Sequence, residues 1–593
     1  MSAQTHVYEQ RLADLRAEMA RQGVGGFIIP RADEYQGEYV PASAERLKFI
    51  SGFTGSAGIA VVLPESAVVM SDGRYTIQLG QQVDSSLFET ADVTQVSPAD
   101  WIGENGGGDL IIGYDPRLHT PTQIKAYEDK GIDMVALVDN PLDAVWGMER
   151  PPEPKAKVSV FPLSTAGLSH TDKMTQVSDI VSHAGAYAGV LTLPDSIAWL
   201  LNIRGDDIVH IPVALSYAVV EASGKVTWFI EGVKITDAVR QHLGNSVSIL
   251  SPKDIEEHLA EIAGRAKAAG QAMWLDGKRS SVWFRTLLEK SGAEILDQDD
   301  PCIALKAVKT PAEQAAMKTA HIRDGVAMVK FLCWLDRQAP KGELTELSVE
   351  EKLLAFRQEA PEFRDTSFDT IAGFNGNGAI VHYRATPETA LPVKPPGLLL
   401  LDSGAQYVDG TTDITRTVAI GEPTEEMKAA FTLVLKGHMA VAMHVFPEGT
   451  LGKDIDALAR QPLRDKGLDY AHGTGHGVGC YLSVHEESAN LSPRGEKGLK
   501  TGMILSNEPG YYKAGEFGIR IESLVLVLPA GEGKLAFETI TLCPIDRRLI
   551  VPEMLIPAER DWLNAYHHRV YEILGPLVGE TEKEWLKATT QPV

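Results

Sequence analysis

The stretch LLLLDSGAQYVDGTTDITRTVAI, residues 398 to 420, decides how the last half of this chain folds. Four leucines ending in Asp402 read as a strand buried on both faces, and DITRTVAI reads as a second strand opening with Asp413. If the two strands pair as a hairpin across the turn-rich AQYVDGTT, both aspartates can face one side. Their separation of eleven residues permits direct cross-strand opposition, with the register left open.

Downstream, two more acids interrupt apolar runs. MILSNEPGYY (503–512) carries Glu508 at a strand end before a Pro-Gly break. FGIRIESLVLVL (517–528) places Glu522 in the middle of a predicted strand, with Arg520 two residues earlier on the same face. Each acid alone reads as a strand-end partner in a surface ion pair. Together, charges within apolar strands are expensive to bury unless paired or metal-bound.

A histidine-rich, glycine-rich segment lies between these strands. HGTGHGVGCYLSVHEE (472–487) packs His472, His476 and His485 around a backbone poor in side chains, and the glycines let that backbone pass close to metal and substrate. Four acids and an imidazole make the mixed oxygen and nitrogen set suited to Mn²⁺, Co²⁺ or Zn²⁺. Charge counting favours two ions, because four carboxylates balance two divalent cations whereas one cation leaves two anions uncompensated. A metal pair about 3.5–4 Å apart acidifies its bridging water and polarises a carbonyl, which is machinery for hydrolysis. His485 and His382, in AIVHYRAT (379–386), read as outer groups that hold substrate and stabilise a charged intermediate, although His382 judged alone reads as structural. His321 and His438, on helical faces, read as structural.

Outward from this centre, TPAE (310–313) combines an N-cap threonine, proline at the first helical position and glutamate at the third, so a helix starts there. Ile322, Val326, Val329 and Cys333 give it an apolar face. Helices are expected over 425–440 and 453–466, and the last fifty residues read as terminal helices. The N-terminal segment, with Tyr8, Leu12, Leu15 and Met19 at helical spacing, reads as a helix rather than a signal peptide. The proline- and charge-rich ERPPEPKAK (149–157) marks a boundary. Beyond it, GVLTLPDSIAWLLNIRG and YAVVEASGKVTWFIEG echo GFIIP, LKFISGFTG and VVLPESAVVMSDG in the same order. An internal duplication accounts for this, and so do two unrelated domains using the same strand and turn chemistry. The expected organisation is α/β (α+β), with domains at 1–153, 154–308 and 309–593.

The 593 residues carry a formal net charge of −24 and show no basic run, which excludes nucleic acid as a partner. Four cysteines without a CxxC pattern fit a reducing compartment, and no apolar run reaches the ~18 residues of a membrane span. A cytoplasmic chain is expected.

HYRAT, LDSGAQYVDGTTDITRT, HGTGHGVG with VHE, SNEPGYY and FGIRIES, in this order, resemble the motifs of the pita-bread metallopeptidases. SGFTGS, SDGRYT, LLNIRG and ALKAVKT extend the resemblance to the three-domain cytosolic aminopeptidase P type. It implies two related N-terminal α/β domains before a pita-bread domain, and two divalent ions, usually manganese with zinc or cobalt as alternatives. Asp402, Asp413, His476, Glu508 and Glu522 would ligate them, with Asp413 and Glu522 bridging. His382, His472 and His485 match substrate- and proton-handling histidines, with His476 also near substrate, Arg520 matches an arginine that orients a ligating acid, and Arg74 in SDGRYT one that reaches the substrate. The implied reaction is release of the N-terminal residue from peptides with proline in second position, by a metal-bridged hydroxide, in a homodimer. A prolidase cutting X-Pro dipeptides and a catalytically silent peptide-binding protein on the same fold are the alternatives.

Overall fold

The computed structural model describes residues 3–107 and 110–593. The chain forms two compact units, one of residues 1–162 and 168–303, the other of residues 163–167 and 304–593.

In the first unit the N-terminal helix Ala3–Arg21 buries Leu12, Leu15 and Met19, the stripe that the spacing predicts. Two six-stranded sheets follow, and they share one topology. The first runs Glu89–Asp92, Ala67–Ser71, Ile59–Val62, Gly26–Pro30, Ile111–Tyr114, Asp133–Ala136. The second runs Val247–Leu250, Val226–Phe229, Tyr217–Glu221, Ala186–Leu191, Ala272–Leu275, Ile295–Asp297. In each, a central antiparallel triplet is flanked by one parallel strand on one side and two on the other. Identical strand order and identical pairing sense throughout favour duplication over coincidence. The sheets are joined by direct contacts: Tyr35 stacks on Tyr217 at 4.6 Å, and the His119 carbonyl accepts the Val282 N–H at 2.8 Å.

In the second unit the helix Pro311–Gln338 opens with the capping box that TPAE predicts: the Thr310 hydroxyl accepts from the Glu313 N–H, and the Glu313 carboxylate from the Thr310 N–H. Its buried Met328, Phe331 and Leu335 pack on Leu399, Leu401, Ile414 and Val418. These belong to the strands Gly397–Ser403 and Ile414–Ile420, which pair antiparallel, with Ile371–Phe374 on the other edge. Period-two alternation then turns Asp402, Thr415 and Thr417 to the opposite face. A second sheet, in the order Val445–Pro447, Lys534–Thr539, Ser523–Pro529, Ile504–Asn507, Gly475–Gly477, Glu486–Leu491, completes an α+β pita-bread domain. Helices Glu425–Ala442, Gly452–Arg464 and Pro557–Leu574 belong to the same unit.

The structure fixes the register that the sequence left open and corrects one expectation. Asp402 lies opposite Thr415 rather than Asp413, because Ala405–Tyr407 and Gly410–Thr411 form their own small hairpin and leave Asp413 just before the long strand. The two aspartates are therefore diagonal neighbours. Glu522 is not within a strand: the run breaks between Phe517–Arg520, which pairs with Gly510–Lys513, and Ser523–Pro529, which pairs with Ile504–Asn507. At the break, the Ile521 N–H donates to the Pro509 carbonyl and the Glu522 N–H to the Thr415 carbonyl at 3.1 Å. This aims the Glu522 side chain across Thr415.

Candidate metal centre

Asp413, His476 and Glu522 each offer a ligand atom within 4.8 Å of the others. His476 Nε2 lies 3.5 Å from Asp413 Oδ2 and 3.6 Å from Glu508 Oε1. Two ligands held about 2.1 Å from one cation sit about 3.0–3.4 Å apart, so these spacings suit atoms facing a common ion. His476 is carried by the short strand Gly475–Gly477, and a Cβ on Gly475 would come within 2.0 Å of the Ser506 carbonyl oxygen. The glycine there serves close strand packing rather than the approach to metal or substrate expected from sequence. Glu508 follows directly on Ile504–Asn507, its N–H donated to the Thr474 carbonyl at 2.8 Å.

A network of neutral and cationic donors holds the acids in place. Arg520 donates to Asp402 Oδ2 at 2.6 Å, to the Tyr512 hydroxyl at 2.6 Å and to Thr415 Oγ1 at 3.2 Å. Thr415 in turn donates to Glu522 Oε2 at 2.8 Å. Asp402 Oδ1 and Glu522 Oε1 are buried with no hydrogen-bond partner. Each acid thus has one oxygen fixed by protein and the other unclaimed, as ligating carboxylates require, since an orphaned buried oxygen is costly unless a proton or cation reaches it. The residues fit a metal.

Tyr512 accepts from Arg520 and is hydrogen-bonded to His472 Nε2 at 2.8 Å, while His472 Nδ1 lies 2.7 Å from the Gly473 carbonyl. Sequence reading gave Tyr512 no role. The available signal was Gly510, opposite Arg520 in the hairpin, where a Cβ would lie 2.6 Å from the Tyr512 hydroxyl. The His485 ring lies 4.4 Å from that of His476, edge to face. The loop of His382 touches the network through the Val381 carbonyl, which accepts from Arg520 at 3.4 Å. Arg74 lies in the other compact unit, bound to Asp72 at 2.7 Å. His321 and His438 are buried, their Nδ1 atoms turned to the Met317 and Asn507 carbonyls, in keeping with structural roles.

Electrostatics favour a cation. Burial, and then the remaining acids, push Glu522 well above the usual carboxylate range. Burial also raises Glu508, and pushes Asp402 up to about 6 against the pull of Arg520. Burial opposes charge on His476, but the Asp413 hydrogen bond and the Glu508 charge outweigh it and raise the imidazole to about 9. Protons and a metal therefore compete for the same atoms. An acid with a raised native pKa binds protons that the unfolded chain has released, so for Asp402 the proton-linked stability is lost as pH rises from about 4 to 6. Cation binding expels these protons and the one on His476, so Mn²⁺ should bind about tenfold or more tightly at pH 8 than at pH 6. Titration calorimetry in two buffers of different ionisation enthalpy should show net proton release. Binding independent of pH and buffer would contradict it.

Buried acids and one imidazole converging between antiparallel strands of an α+β domain define a metallohydrolase type of site. Residues 315–529 match the metallopeptidase family M24 and residues 533–593 its C-terminal region, while 11–141 and 149–313 each match the creatinase/prolidase N-terminal domain. A probable Xaa-Pro aminopeptidase P of Paracoccidioides brasiliensis is 37% identical over 98% of this chain and 99% of its own. Aminopeptidase P2 of Arabidopsis thaliana is 38% identical over 100% and 89%. The crystal structure of the X-prolyl aminopeptidase of Caenorhabditis elegans, a cytosolic enzyme with a di-nuclear active site, superposes with a TM-score of 0.93 at 31% identity, covering 99% of this chain and 100% of that one. The chain belongs to the Xaa-Pro aminopeptidase P family of M24 metallopeptidases. No helix among the described residues is long and apolar enough to cross a membrane.

Proposed function

We propose that this chain is a metal-dependent aminopeptidase that hydrolyses the N-terminal Xaa-Pro bond of peptides. The observation that supports this reading is the grouping of Asp413, His476 and Glu522, with Glu508 beside His476, Asp402 tied to Glu522 through Arg520 and Thr415, and one oxygen each of Asp402 and Glu522 buried without a hydrogen-bond partner. These five would hold two divalent ions, manganese in our reading. Bound there, such a pair supplies an acidified water and a polarised carbonyl.

The remaining work falls to side chains. Glu508, with its affinity for protons raised by burial, takes a proton from the attacking water and returns it to the departing proline nitrogen. That nitrogen belongs to a tertiary amide without an N–H, so recognition rests on the ring and the carbonyl rather than on main-chain pairing. His485 and His382 hold the scissile carbonyl and the proline side as charge develops on oxygen. His472, hydrogen-bonded to Tyr512, handles substrate and protons alongside them. We extend the proposal to a threefold division at 153/154 and 308/309, a homodimer and a cytoplasmic location.

A dipeptidase with the same ligands is the second reading. With Mn²⁺ present, an Arg-Pro-Pro tripeptide should lose its arginine at least about tenfold faster than an Arg-Pro dipeptide is cut. Preference for the dipeptide would establish the prolidase reading, and no turnover of either would establish a binding protein.

A further inference from the structure

One buried carboxylate outside the cluster is tied to the loop that carries His382. Glu346 is the first residue of the helix Glu346–Arg357 and is wholly buried. Its Oε1 accepts from the Phe374 N–H at 2.6 Å and from Asn377 Nδ2 at 3.1 Å. Oε2 accepts from the Tyr383 hydroxyl at 2.8 Å, the Leu391 N–H at 2.8 Å and Asn377 Nδ2 at 3.0 Å. Its own N–H donates to the Leu391 carbonyl at 3.1 Å, continuing the ladder of Leu344–Thr345 with Pro392–Val393.

These partners are not scattered. Phe374 ends the strand Ile371–Phe374 and Leu391 precedes Pro392–Val393, so they are the two feet of the segment 375–391. Tyr383 lies within it, beside His382, and Val381 on the other side gives its carbonyl to Arg520. Between the feet, the only regular structure is the turn of 3-10 helix Asn375–Ala379. A single side chain therefore pins both ends of an otherwise irregular loop and the residue adjoining its histidine. Every partner is a donor, the demand that an ionised carboxylate meets and an amide does not: glutamine at 346 would set an NH₂ against a tyrosine hydroxyl or a backbone N–H.

We propose that Glu346 is a positioning residue for His382, fixing the loop 375–391 so that the imidazole stands at the metal cluster's edge. This rests on the reading of His382 as a substrate-contacting group. In Glu346→Gln, hydrogen exchange of the 375–391 amides should rise about tenfold or more while the amides of Gly397–Ser403 and Ile414–Ile420 stay protected. With metal content unchanged, kcat should fall about thirtyfold and KM less than about threefold; Tyr383→Phe, which removes one donor and threatens folding least, should show the same pattern at about fivefold. In a His382→Ala background Glu346→Gln should cost less than about twofold more, because the positioned group is gone. Unchanged loop exchange, or an equal loss in both backgrounds, overturns the proposal. If His382→Ala alone keeps full activity, the reading of His382 falls and the positioning role with it, whatever the exchange shows.

Discussion

Asp413→Asn should abolish turnover, lowering kcat/KM by about 10⁴ or more, which is about 5.5 kcal/mol of transition-state stabilisation, while the far-ultraviolet dichroism stays that of the parent. The residue is 4% exposed and stands at the centre of the cluster, with His476 3.5 Å away and Glu522 within the same ligand set. An amide has nearly the shape of the carboxylate, so packing changes little, but it removes a full negative charge from a site whose remaining acids cannot neutralise two cations. Metal content by atomic spectroscopy should drop by at least about half, since a lost carboxylate ligand weakens whatever ion it serves. Unimpaired turnover, or full metal content with full activity, would show that Asp413 holds no essential ion.

Much of this was legible before any coordinates. The paired strands around Asp402 and Asp413, the capped helix at Thr310 and the terminal helices follow from patterns that depend only on neighbours along the chain: period-two burial, a capping box, and 3.6-residue stripes. The site acids stood out for the same local reason, being charges in apolar runs. What escaped depends on contacts across the fold. The diagonal placement of Asp402 and Asp413 is set by a nested hairpin, Ala405–Tyr407 with Gly410–Thr411, whose bonds no window of sequence displays. The strand break at Glu522 is made by two acceptors elsewhere, the Pro509 and Thr415 carbonyls, and the run IRIESLVLVL reads as continuous without them. Tyr512 carried no signal of its own beyond the neighbouring Gly510, and Glu346 carried none, since a tyrosine in a hairpin and a glutamate after an N-cap threonine are ordinary in their own segments. The repeated sheet topology of the first unit was half visible: the order of similar segments was on the page, but pairing sense required the structure.

Arg520→Met should cost about 10²–10³ in kcat/KM and destabilise the protein by about 3–5 kcal/mol, because breaking a buried ion pair leaves the surviving charge unpaired. Arg520 is 1% exposed and its guanidinium is shared by four partners, Asp402, Tyr512, Thr415 and the Val381 carbonyl. Asp402 would then have neither oxygen fixed. Already raised to about 6 with the arginine present, its carboxyl would hold its proton to still higher pH, so the pH at which activity appears should move upward. Thr415 would lose its second contact and with it the hold on Glu522 Oε2, and His472 would face a tyrosine hydroxyl free to turn away. Arg520→Lys separates charge from geometry. A lysine restores a cation but offers one point of attachment where the planar fork reaches four acceptors, so it should recover most of the stability and little of the rate. If lysine instead restores both, the arginine serves as a counter-charge and the acids need no orientation from it; if methionine restores both, Asp402 is held by groups other than Arg520, and the network described around the cluster does not govern its geometry.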